Sequence, residues 1–447
     1  MSQEEAFGQF QLRKNLFITG AGGTGKTTLI HRMTDYLSTR DISYKVCALT
    51  GCAALLLGQK ATTFHSWAGV GLSRGTVEEC VAAVMKNKFT QMRIRKTKVL
   101  FVDEISMMSK KLFDIFYEIV STLNPRMQII FTGDFFQLPP VGNASDPDTS
   151  AFCFESAHWF AIFPAECHLE LTHIYRQNDP VYIDLLQSVR VGNITETQIE
   201  LLRSKVSTTA PDLEQTGGVV PPKLYSIKRQ VDTYNYMTFS NLEGEVREYT
   251  YEALINLTCW NDTGVPLARE VLAECARLSP AAKEYEIGNI LSLANCREKI
   301  SLKVGCVVML TMNIDLENGL CNGSQGVVMS FAENGYPLIK FKTCTQIVAP
   351  IVWQSDNYPS LGIRMMPLIL SWAVTIHKIQ GTTLENAVMD LGNTVFEYGQ
   401  VYVALSRVKS LDGLFLEGFN PKKIKANPKV VEFYLSLMGR GFYHGNI

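Results

Sequence analysis

The chain has 447 residues, enough for two or three domains at ~100–200 residues each. Its 42 Lys and Arg residues against 43 Asp and Glu residues give a formal net charge of −1, and 46% of the residues are hydrophobic. This composition excludes a disordered, collagen-like or coiled-coil chain. Because there is no overall excess of positive charge, a nucleic-acid partner has to be inferred from local charge.

The eleven cysteines are scattered and form no CxxC pair, so the sequence indicates neither a zinc ribbon nor another structural metal site. An odd number of cysteines in a long chain is typical of free thiols in a reducing, intracellular compartment. The N-terminus lacks the apolar core of a signal peptide, and no apolar stretch approaches the ~20 residues that span a bilayer. We therefore expect no membrane partner.

Short apolar runs alternate with helical patterns in the first third of the chain. The runs predict buried strands over residues 15–20, 44–49, 98–102 and 128–131, and helix-spaced apolar positions predict helices over 26–37 and 110–123. Strands separated by helices indicate a parallel sheet covered on both faces, which binds ligands at the carboxyl ends of its strands.

The later part of the chain has a different pattern. Residues 206–222 are rich in Pro, Gly and Thr and predict a surface connection. Residues 305–353 contain β-rich runs separated by Asn-Gly turns at 318–319, 322–323 and 334–335, which predict a small antiparallel unit. Residues 368–376 and 401–405 predict buried strands of a second α/β layer. The fold class is therefore α/β, with two lobes and a β-rich insertion before the second is completed.

A glycine-rich loop follows the first predicted strand and opens the first predicted helix. Residues 20–27 read GAGGTGKT, which fits the pattern G-x-x-x-x-G-K-[ST] of a nucleotide-binding P-loop. Backbone N–H groups of such a loop surround phosphates, and the helix N-terminus adds a favourable dipole. We predict a phosphate cradle with Lys26 on the β- and γ-phosphates and Thr27 on Mg²⁺; its members are Gly22, Gly23, Thr24, Gly25, Lys26, Thr27 and Thr28.

Two acidic residues end the predicted strand over residues 98–102. Asp103 is placed to hold the shell of the Mg²⁺ ion, and Glu104 is suited to act as the general base that orients the attacking water. The only Asn-Lys pair, at 87–88, is followed by Phe-Thr, so no guanine-reading NKxD sequence occurs. The motifs therefore predict an ATPase that uses ATP and Mg²⁺.

Further motifs are more specific. In chain order, GAGGTGKTT, LTGCAA, TFHSWAG, FVDEISM, GDFFQLPPV, IYRQ, AVTIHKIQGTTL and VYVALSRVKSLDGL closely resemble the petite-integration-frequency (PIF) helicases, relatives of RecD in the B group of superfamily-one DNA helicases. The resemblance runs from Asn15 to about Leu416. It implies two tandem RecA-like P-loop lobes, with a small insertion in the first and a β-barrel insertion of Src-homology type in the second.

The resemblance also implies domain bounds. The first lobe is expected over residues 1–154, with a small inserted subdomain at about 69–97, and the first part of the second lobe over 155–240. A connecting segment or insertion is expected over 241–300, the barrel over 301–362, and the remainder of the second lobe over 363–447. Departures from the family pattern are Leu49, where the family has Pro, and Ile379, where it usually has Ser.

Roles at the nucleotide follow from the same motifs. Gln137 resembles the family's sensor of the γ-phosphate or attacking water, and Arg176 and Arg407 resemble the arginines that the second lobe donates to the transferring phosphoryl group. Gly381 is expected near the phosphates, in the motif that links ATP to DNA. Gln3 is the candidate for reading the adenine, with Glu5 and Gln9 as competing alignments.

Single-strand binding needs donors along the backbone and aromatic rings for the bases. The residues that match the family's DNA-contacting motifs are Thr50, Gly51, Phe64, His65 and Ser66 in the first lobe and Thr375, His377 and Lys378 in the second; Asn322 belongs to the barrel match. Phe64 and Trp67 fit either a base platform or core packing. A basic run ending in Arg95, Lys96 and Lys98 carries six positive charges and no acid over residues 86–98, which favours phosphate contact over a solvated face.

The resulting hypothesis is a DNA helicase of replication, repair or recombination that translocates 5′ to 3′ on single-stranded DNA. The expected partners are single-stranded DNA and DNA forks or duplex junctions, with replication or repair proteins as further candidates and a monomer as the free state. The alternatives are a RecD-like motor subunit of a nuclease complex and an ATP-gated nucleic-acid clamp that does not unwind.

Overall fold

The structure is a computed structural model, which describes residues 1–58, 61–71, 73, 75–207, 220–255, 273, 276–293, 298–312, 314–315, 318, 320, 322–355 and 358–438. The predicted surface connection over 206–222 lies largely outside the described residues, as does the turn glycine at position 319. The helices are α1 Gln3–Gln11, α2 Lys26–Ser38, α3 Gly51–Leu56, α4 Phe64–Ala68, α5 Val77–Lys86, α6 Lys88–Lys96, α7 Lys110–Leu123, α8 Trp159–Ile162, α9 Pro180–Val191, α10 Glu196–Ser204, α11 Lys228–Asn241, α12 Pro280–Leu293, α13 Gln400–Leu405 and α14 Pro428–Met438.

The first lobe is built on a parallel sheet of strand order β3-β2-β4-β5-β1-β6. Its strands are β1 Leu16–Thr19, β2 Tyr44–Ala48, β3 Thr62–Thr63, β4 Val99–Asp103, β5 Gln128–Thr132 and β6 His168–Glu170. The four strands and two helices predicted in this part of the sequence are therefore confirmed to within two residues at each end. The strands are buried on both faces because helices cover both sides of a parallel sheet.

The second lobe contains a smaller parallel sheet of order β18-β7-β19-β20. Its strands are β7 Lys223–Tyr225, β18 Ala373–Thr375, β19 Ala387–Leu391 and β20 Leu414–Phe419. The strand predicted over 401–405 was wrong, because these residues belong to the helix α13. Every residue of this helix is buried, and a short apolar run that is buried all round does not distinguish a helix from a strand.

The β-rich insertion forms antiparallel sheets between these second-lobe segments. Its strands are β8 Arg247–Thr250, β9 Glu252–Ile255, β10 Lys299–Leu302, β11 Val307–Leu310, β12 Gln325–Phe331, β13 Pro337–Phe341, β14 Thr345–Ile347, β15 Ile351–Gln354, β16 Leu361–Met365 and β17 Leu368–Leu370. They pair as β14-β13-β12-β11-β17, β15-β16-β9 and β10-β8. The Asn334-Gly335 turn, with Gly335 at φ 79°, closes the hairpin of β12 and β13 as its sequence predicts.

Two elements extend the first lobe beyond its expected end at residue 154. Strand β6 pairs with β1 and so belongs to the first sheet. Helix α14, at the other end of the chain, places Val430, Phe433, Tyr434 and Leu437 in the hydrophobic core of the first lobe. The expected boundary at 154 is therefore too early, and the expected assignment of 363–447 to the second lobe does not hold for α14.

The helices α5 and α6 occupy the expected insertion at about 69–97. They pack on the first-lobe core through Cys80, Val84 and Ile94. In the described part of the chain, no helix is both long enough and apolar enough to cross a bilayer.

Candidate nucleotide site and nucleic-acid interface

The P-loop joins β1 to α2 and has the backbone that its glycines allow. Gly23 and Gly25 have φ values of 88° and 81°, a region that other residues adopt with strain. A Cβ atom on Gly23 would lie 2.6 Å from the Cβ of Arg176, so the segment that carries Arg176 packs directly on the loop. Lys26 Nζ donates to the carbonyl oxygens of Gly20 and Ala21, at 2.6 and 3.1 Å. Its ammonium group therefore lies within the loop, where the phosphates of a nucleotide would replace these carbonyl contacts.

Burial lowers the pKa of Lys26, while the carboxylates of Asp134, Glu104 and Asp103 oppose that shift. Of the predicted cradle residues, Gly22, Thr24 and Thr27 also lie in or directly beside the loop, and the Thr24 hydroxyl donates to Ala21 O at 2.9 Å. Thr28 is exposed on α2.

Gln3, the candidate for reading the adenine, lies against the P-loop. Ser2 caps α1 in a reciprocal capping box with Glu5, so the Glu5 side chain is occupied at the helix terminus. The Gln3 Nε2 atom donates to the carbonyl oxygens of Thr24 and Gly25, at 3.4 and 3.3 Å. A cavity of about 300 Å³ opens beside it, lined by Met1, Ser2, Gln3, Thr24, Leu171, His173 and Tyr175. Of the three competing alignments, the structure places Gln3 at the loop.

Asp103 is the last residue of β4, beside the P-loop, and Glu104 follows it. Asp103 Oδ2 accepts a hydrogen bond from the Thr27 hydroxyl at 3.3 Å, and its Oδ1 accepts from the Thr132 hydroxyl at 2.5 Å and from the Glu104 backbone N–H at 2.8 Å. A carboxylate and a hydroxyl that meet at a phosphate cradle are the oxygen ligands that Mg²⁺ prefers. Asp103 and Thr27 therefore fit the predicted Mg²⁺ shell.

Glu104 has a strained backbone and an unusual electrostatic environment. Its φ and ψ angles of 55° and 43° lie in the left-handed region, where residues other than glycine are uncommon. Burial raises the pKa of its carboxyl group, and the neighbouring Asp103 raises it further, while Lys26, Arg407 and a hydrogen bond from Gln380 oppose the shift. A strained, half-buried carboxylate with a raised pKa is suited to accept a proton.

Gln137 and Glu104 are linked by hydrogen bonds to the same third side chain. The Nε2 atom of Gln380, from the second lobe, donates to Glu104 Oε2 at 3.1 Å and to Gln137 Oε1 at 3.4 Å. The structure therefore brings the predicted base and the predicted sensor together. Gly381 follows Gln380 in a tight turn, with φ 82°.

Arg176 and Arg407 reach the same cleft from the second lobe. Arg176 Nη1 donates to Ser406 O at 3.0 Å, and Arg407 donates to Val403 O, Thr382 O and the Ser406 hydroxyl. Burial and the nearby Arg176 guanidinium lower the pKa of Arg407 to about 9, and burial lowers that of Arg176. Arg407 is buried and Arg176 is half-buried, and among the residues that the structure describes no carboxylate is bonded to either guanidinium group. Two neighbouring cations held in this way are prepared to meet an added negative charge.

The first-lobe candidates for DNA contact lie at the carboxyl ends of the adjacent strands β2 and β3. Thr50 and Gly51 follow β2 and begin α3, where Thr50 Oγ1 accepts from Ala53 N at 3.2 Å. His65 and Ser66 lie in the first turn of α4, which the Thr63 side chain caps. Both residues are half-buried, and burial lowers the pKa of His65.

Phe64 corrects a prediction. Its side chain is 1% exposed and packs in the core, with its ring centroid 5.5 Å from that of Phe116. Trp67 is also 1% exposed. Neither ring can stack on a base, because Phe64 and Trp67 lie three residues apart on the face of α4 that covers the sheet.

The basic run divides in two. Arg93 turns inward and donates to the carbonyl oxygens of Ser66 and Trp67, each at 2.9 Å, so it supports α4 and was wrongly predicted to contact phosphate. Arg95, Lys96 and Lys98 are exposed, and Lys96 ends α6.

The second-lobe candidates lie at the end of β18. Thr375 is the last residue of the strand, and His377 and Lys378 lie in the turn that follows. All three are half-buried, and burial lowers the pKa of His377. The exposed Phe396 ring lies nearly parallel to that of His377, with their centroids 6.4 Å apart. Asn322 corrects the prediction for the barrel, because its side chain is only 7% exposed and is not presented to a passing strand.

Comparisons with known proteins identify the family of this chain. A family model described as PIF1-like helicase matches residues 3–200, and one described as DNA helicase Pif1, 2B domain, matches residues 289–331. The ATP-dependent DNA helicase PIF1 of Xenopus laevis is 33% identical over 432 residues, which cover 94% of this chain and 61% of that protein. The crystal structure of Pif1 helicase from Candida albicans is 30% identical, with a TM-score of 0.76, and the match covers 97% of this chain and 98% of that chain. The chain belongs to the PIF1-like helicase family.

A Pif1 helicase from Bacteroides, solved in complex with ADP-AlF3 and single-stranded DNA, shares the fold at 23% identity, with a TM-score of 0.66 and 99% of each chain covered. The chain spans 61% of the length of the Xenopus relative. The family models and the Candida albicans structure confirm the resemblance to PIF helicases and the α/β fold class of two RecA-like lobes.

Several residues at the PIF1-like cleft escaped the sequence reasoning. Tyr402 accepts a hydrogen bond from the P-loop amide of Gly22 at 2.8 Å, and Gln177 donates to Ser406 O and Val408 O. Three of these residues lie within the sequence motifs that resemble the PIF helicases: Tyr402, Gln177 and Gln380. Their place in those motifs was the signal from which they could have been predicted. Arg190, which forms a buried ion pair with Asp134, lies outside the motifs and had no such signal.

Proposed function

We propose that this chain is an ATP-dependent DNA helicase that moves 5′ to 3′ along single-stranded DNA and unwinds the duplex ahead of it. The polarity, the translocation and the use of Mg²⁺ come from the resemblance to the family, and the activity is assigned from relatives that are longer than this chain. We also propose DNA forks and duplex junctions as its substrates and an intracellular, reducing compartment as its location.

One observation carries the proposal. The first lobe supplies Lys26, Glu104 and Gln137, the second supplies Arg176 and Arg407, and these groups meet at one cleft. A site assembled from two lobes exists only when the lobes close, so hydrolysis can be coupled to relative movement of the lobes. An ATP-gated clamp would not need a strained general base in addition to two cations.

Each residue has a distinct task in hydrolysis. Lys26 and the P-loop amides bind the β- and γ-phosphates, and Glu104 accepts the proton of the attacking water that Gln137 helps to orient. Arg176 and Arg407 stabilise the charge that develops on the transferring phosphoryl group. Thr27 and Asp103 would hold Mg²⁺, which neutralises phosphate charge when bound. After hydrolysis, loss of the γ-phosphate removes the charge that draws the two arginines towards the P-loop.

Unwinding of partial duplexes tests the proposal. The purified chain should unwind a duplex with a 5′ single-stranded tail when given ATP and Mg²⁺, without an added partner protein. Lys26→Ala, which removes the phosphate-binding ammonium group, should abolish both unwinding and DNA-stimulated ATP hydrolysis; a fluorescent strand-displacement assay and phosphate release measure the two.

Matched duplexes with only a 3′ tail or with blunt ends are the controls. Unwinding from the 3′ tail alone would contradict the polarity. Hydrolysis without any strand displacement would favour the clamp, and unwinding that requires a nuclease partner would favour the RecD-like subunit.

A further inference from the structure

The turn after β18 carries Gln380 and two of the second-lobe DNA candidates, His377 and Lys378. Within it, Lys378 N donates to Thr375 O at 3.0 Å, and Gln380 N donates to His377 O at 3.3 Å. Ile379, which replaces the serine usual in the family, is 1% exposed and packs in the second-lobe core. Because these bonds span one short turn, a displacement of His377 or Lys378 is passed directly to the backbone of Gln380.

The Gln380 side chain points away from that surface and into the nucleotide cleft. It is 6% exposed, and its single Nε2 group donates to Glu104 Oε2 and to Gln137 Oε1. These hydrogen bonds join the second lobe to two first-lobe residues of the proposed hydrolytic site. They use acceptor atoms of the two groups that would otherwise bind the attacking water.

The other end of the same amide is unsatisfied. Gln380 Oε1 is buried and has no hydrogen-bond partner among the residues that the structure describes. Leaving a buried acceptor without a partner costs free energy, so the arrangement that holds Glu104 and Gln137 is poised to change when another arrangement offers Oε1 a donor. The attacking water is a donor of suitable size.

We propose that Gln380 is a positioning residue that restrains the general base in the absence of DNA and releases it when a single strand binds at His377 and Lys378. In the restrained state its amide holds the Glu104 carboxylate and the Gln137 carboxamide to each other. A strand that displaces the turn withdraws Nε2 from both groups and frees them to orient the water. This inference rests on the proposed function and deepens it, because it identifies how DNA regulates the ATPase site.

Gln380→Met keeps the length of the side chain and removes both the donor and the acceptor. We expect the turnover of ATP without DNA to rise by about threefold to tenfold, because one hydrogen-bonded restraint is lost. We also expect stimulation by DNA to shrink towards none. Steady-state phosphate release is measured at saturating Mg-ATP, without DNA and with saturating oligothymidylate, which forms no duplex.

The matched control is Gln128→Met. Gln128 is also a buried glutamine whose Nε2 makes two hydrogen bonds, to the carbonyl oxygens of Phe10 and Lys14, far from the cleft. This control should retain the wild-type ratio of the two rates. If Gln380→Met does not fold, as judged by thermal unfolding, Gln380→Ala is measured with the same expectation.

The possible outcomes separate the two proposals. A fall in the DNA-free rate, an unchanged rate, or a raised rate with the stimulation ratio intact would each overturn the restraint. An active wild-type ATPase with those outcomes leaves the proposed function standing. A wild-type chain that shows no stimulation by oligothymidylate would overturn the restraint, and one that hydrolyses no ATP would overturn both proposals.

Discussion

At the residue scale, the position of Glu104 predicts the pH dependence of hydrolysis. Burial and the Asp103 carboxylate raise the pKa of Glu104 above its ordinary value of 4.5, against the opposing effects of Lys26, Arg407 and Gln380. A general base has to be ionised before it can accept a proton, so kcat should be full above the raised pKa and should fall as the pH decreases through it. The acid limb of the profile of kcat against pH is therefore expected above pH 4.5.

The measurement is phosphate release at saturating ATP and DNA over a series of pH values. Circular dichroism over the same series shows whether the fold is retained, which separates titration from acid unfolding. A rate that stays constant down to pH 4.5 would contradict the role of Glu104 as a base with a raised pKa.

At the element scale, buried ion pairs of Arg190 join helix α9 of the second lobe to the first lobe. Arg190 pairs with Asp134, in the loop after β5, and also lies 3.8 Å from Glu170 of β6. Arg190 donates to both carboxylate oxygens of Asp134, each at 2.9 Å, and the two side chains are 4% and 0% exposed. Asp134 in turn accepts from Phe136 N at 3.2 Å, and its carbonyl oxygen accepts from Gln137 N at 2.9 Å. The pair therefore fixes the loop that presents Gln137.

Arg190→Met should destabilise the protein by about 3–5 kcal/mol, because it leaves the Asp134 carboxylate buried without its partner. The double variant Arg190→Met with Asp134→Asn should recover part of that loss, since the unpaired charge is then removed. Chemical denaturation measures both. The control Arg203→Met breaks an exposed pair with Glu196 and should cost at most about 1 kcal/mol. Equal losses for Arg190→Met and Arg203→Met would contradict the argument.

At the scale of the whole molecule, what could be predicted depended on how local the cause was. The P-loop and the strands of the first lobe follow from glycine spacing and apolar runs, and both were confirmed. Residues 401–405 and Phe64 were misassigned because burial on every side depends on neighbours distant in sequence. The Arg190–Asp134 pair and the return of α14 to the first lobe arise only from tertiary contacts between segments 56 and about 300 residues apart, which no local pattern encodes.

Helix α14, the last helix of the described residues, packs against the first lobe. Phe433 is 6% exposed, stacks on Phe154 with the ring centroids 4.2 Å apart, and lies beside Tyr434, whose hydroxyl group is 2.7 Å from Thr19 Oγ1. The first-lobe core is thus completed by a helix that the chain reaches only after building the second lobe. Loss of this packing should therefore destabilise the first lobe, although the substitution lies far from it in sequence.

Phe433→Ala should lower the free energy of unfolding by about 3–5 kcal/mol, because it removes a buried ring and leaves a cavity between the helix and the sheet. Leu435→Ala, two residues along the same helix at a side chain that is 48% exposed, should change it by no more than about 0.5 kcal/mol. Urea unfolding followed by circular dichroism compares the two variants, and protection of the β1 and β5 amides from hydrogen exchange shows where stability is lost. If both variants lose equal stability, or if β1 and β5 keep wild-type protection in Phe433→Ala, α14 is not part of the first-lobe core in solution. A selective loss of protection there would mean that the stability of the first lobe depends on a helix that follows the second lobe in the sequence.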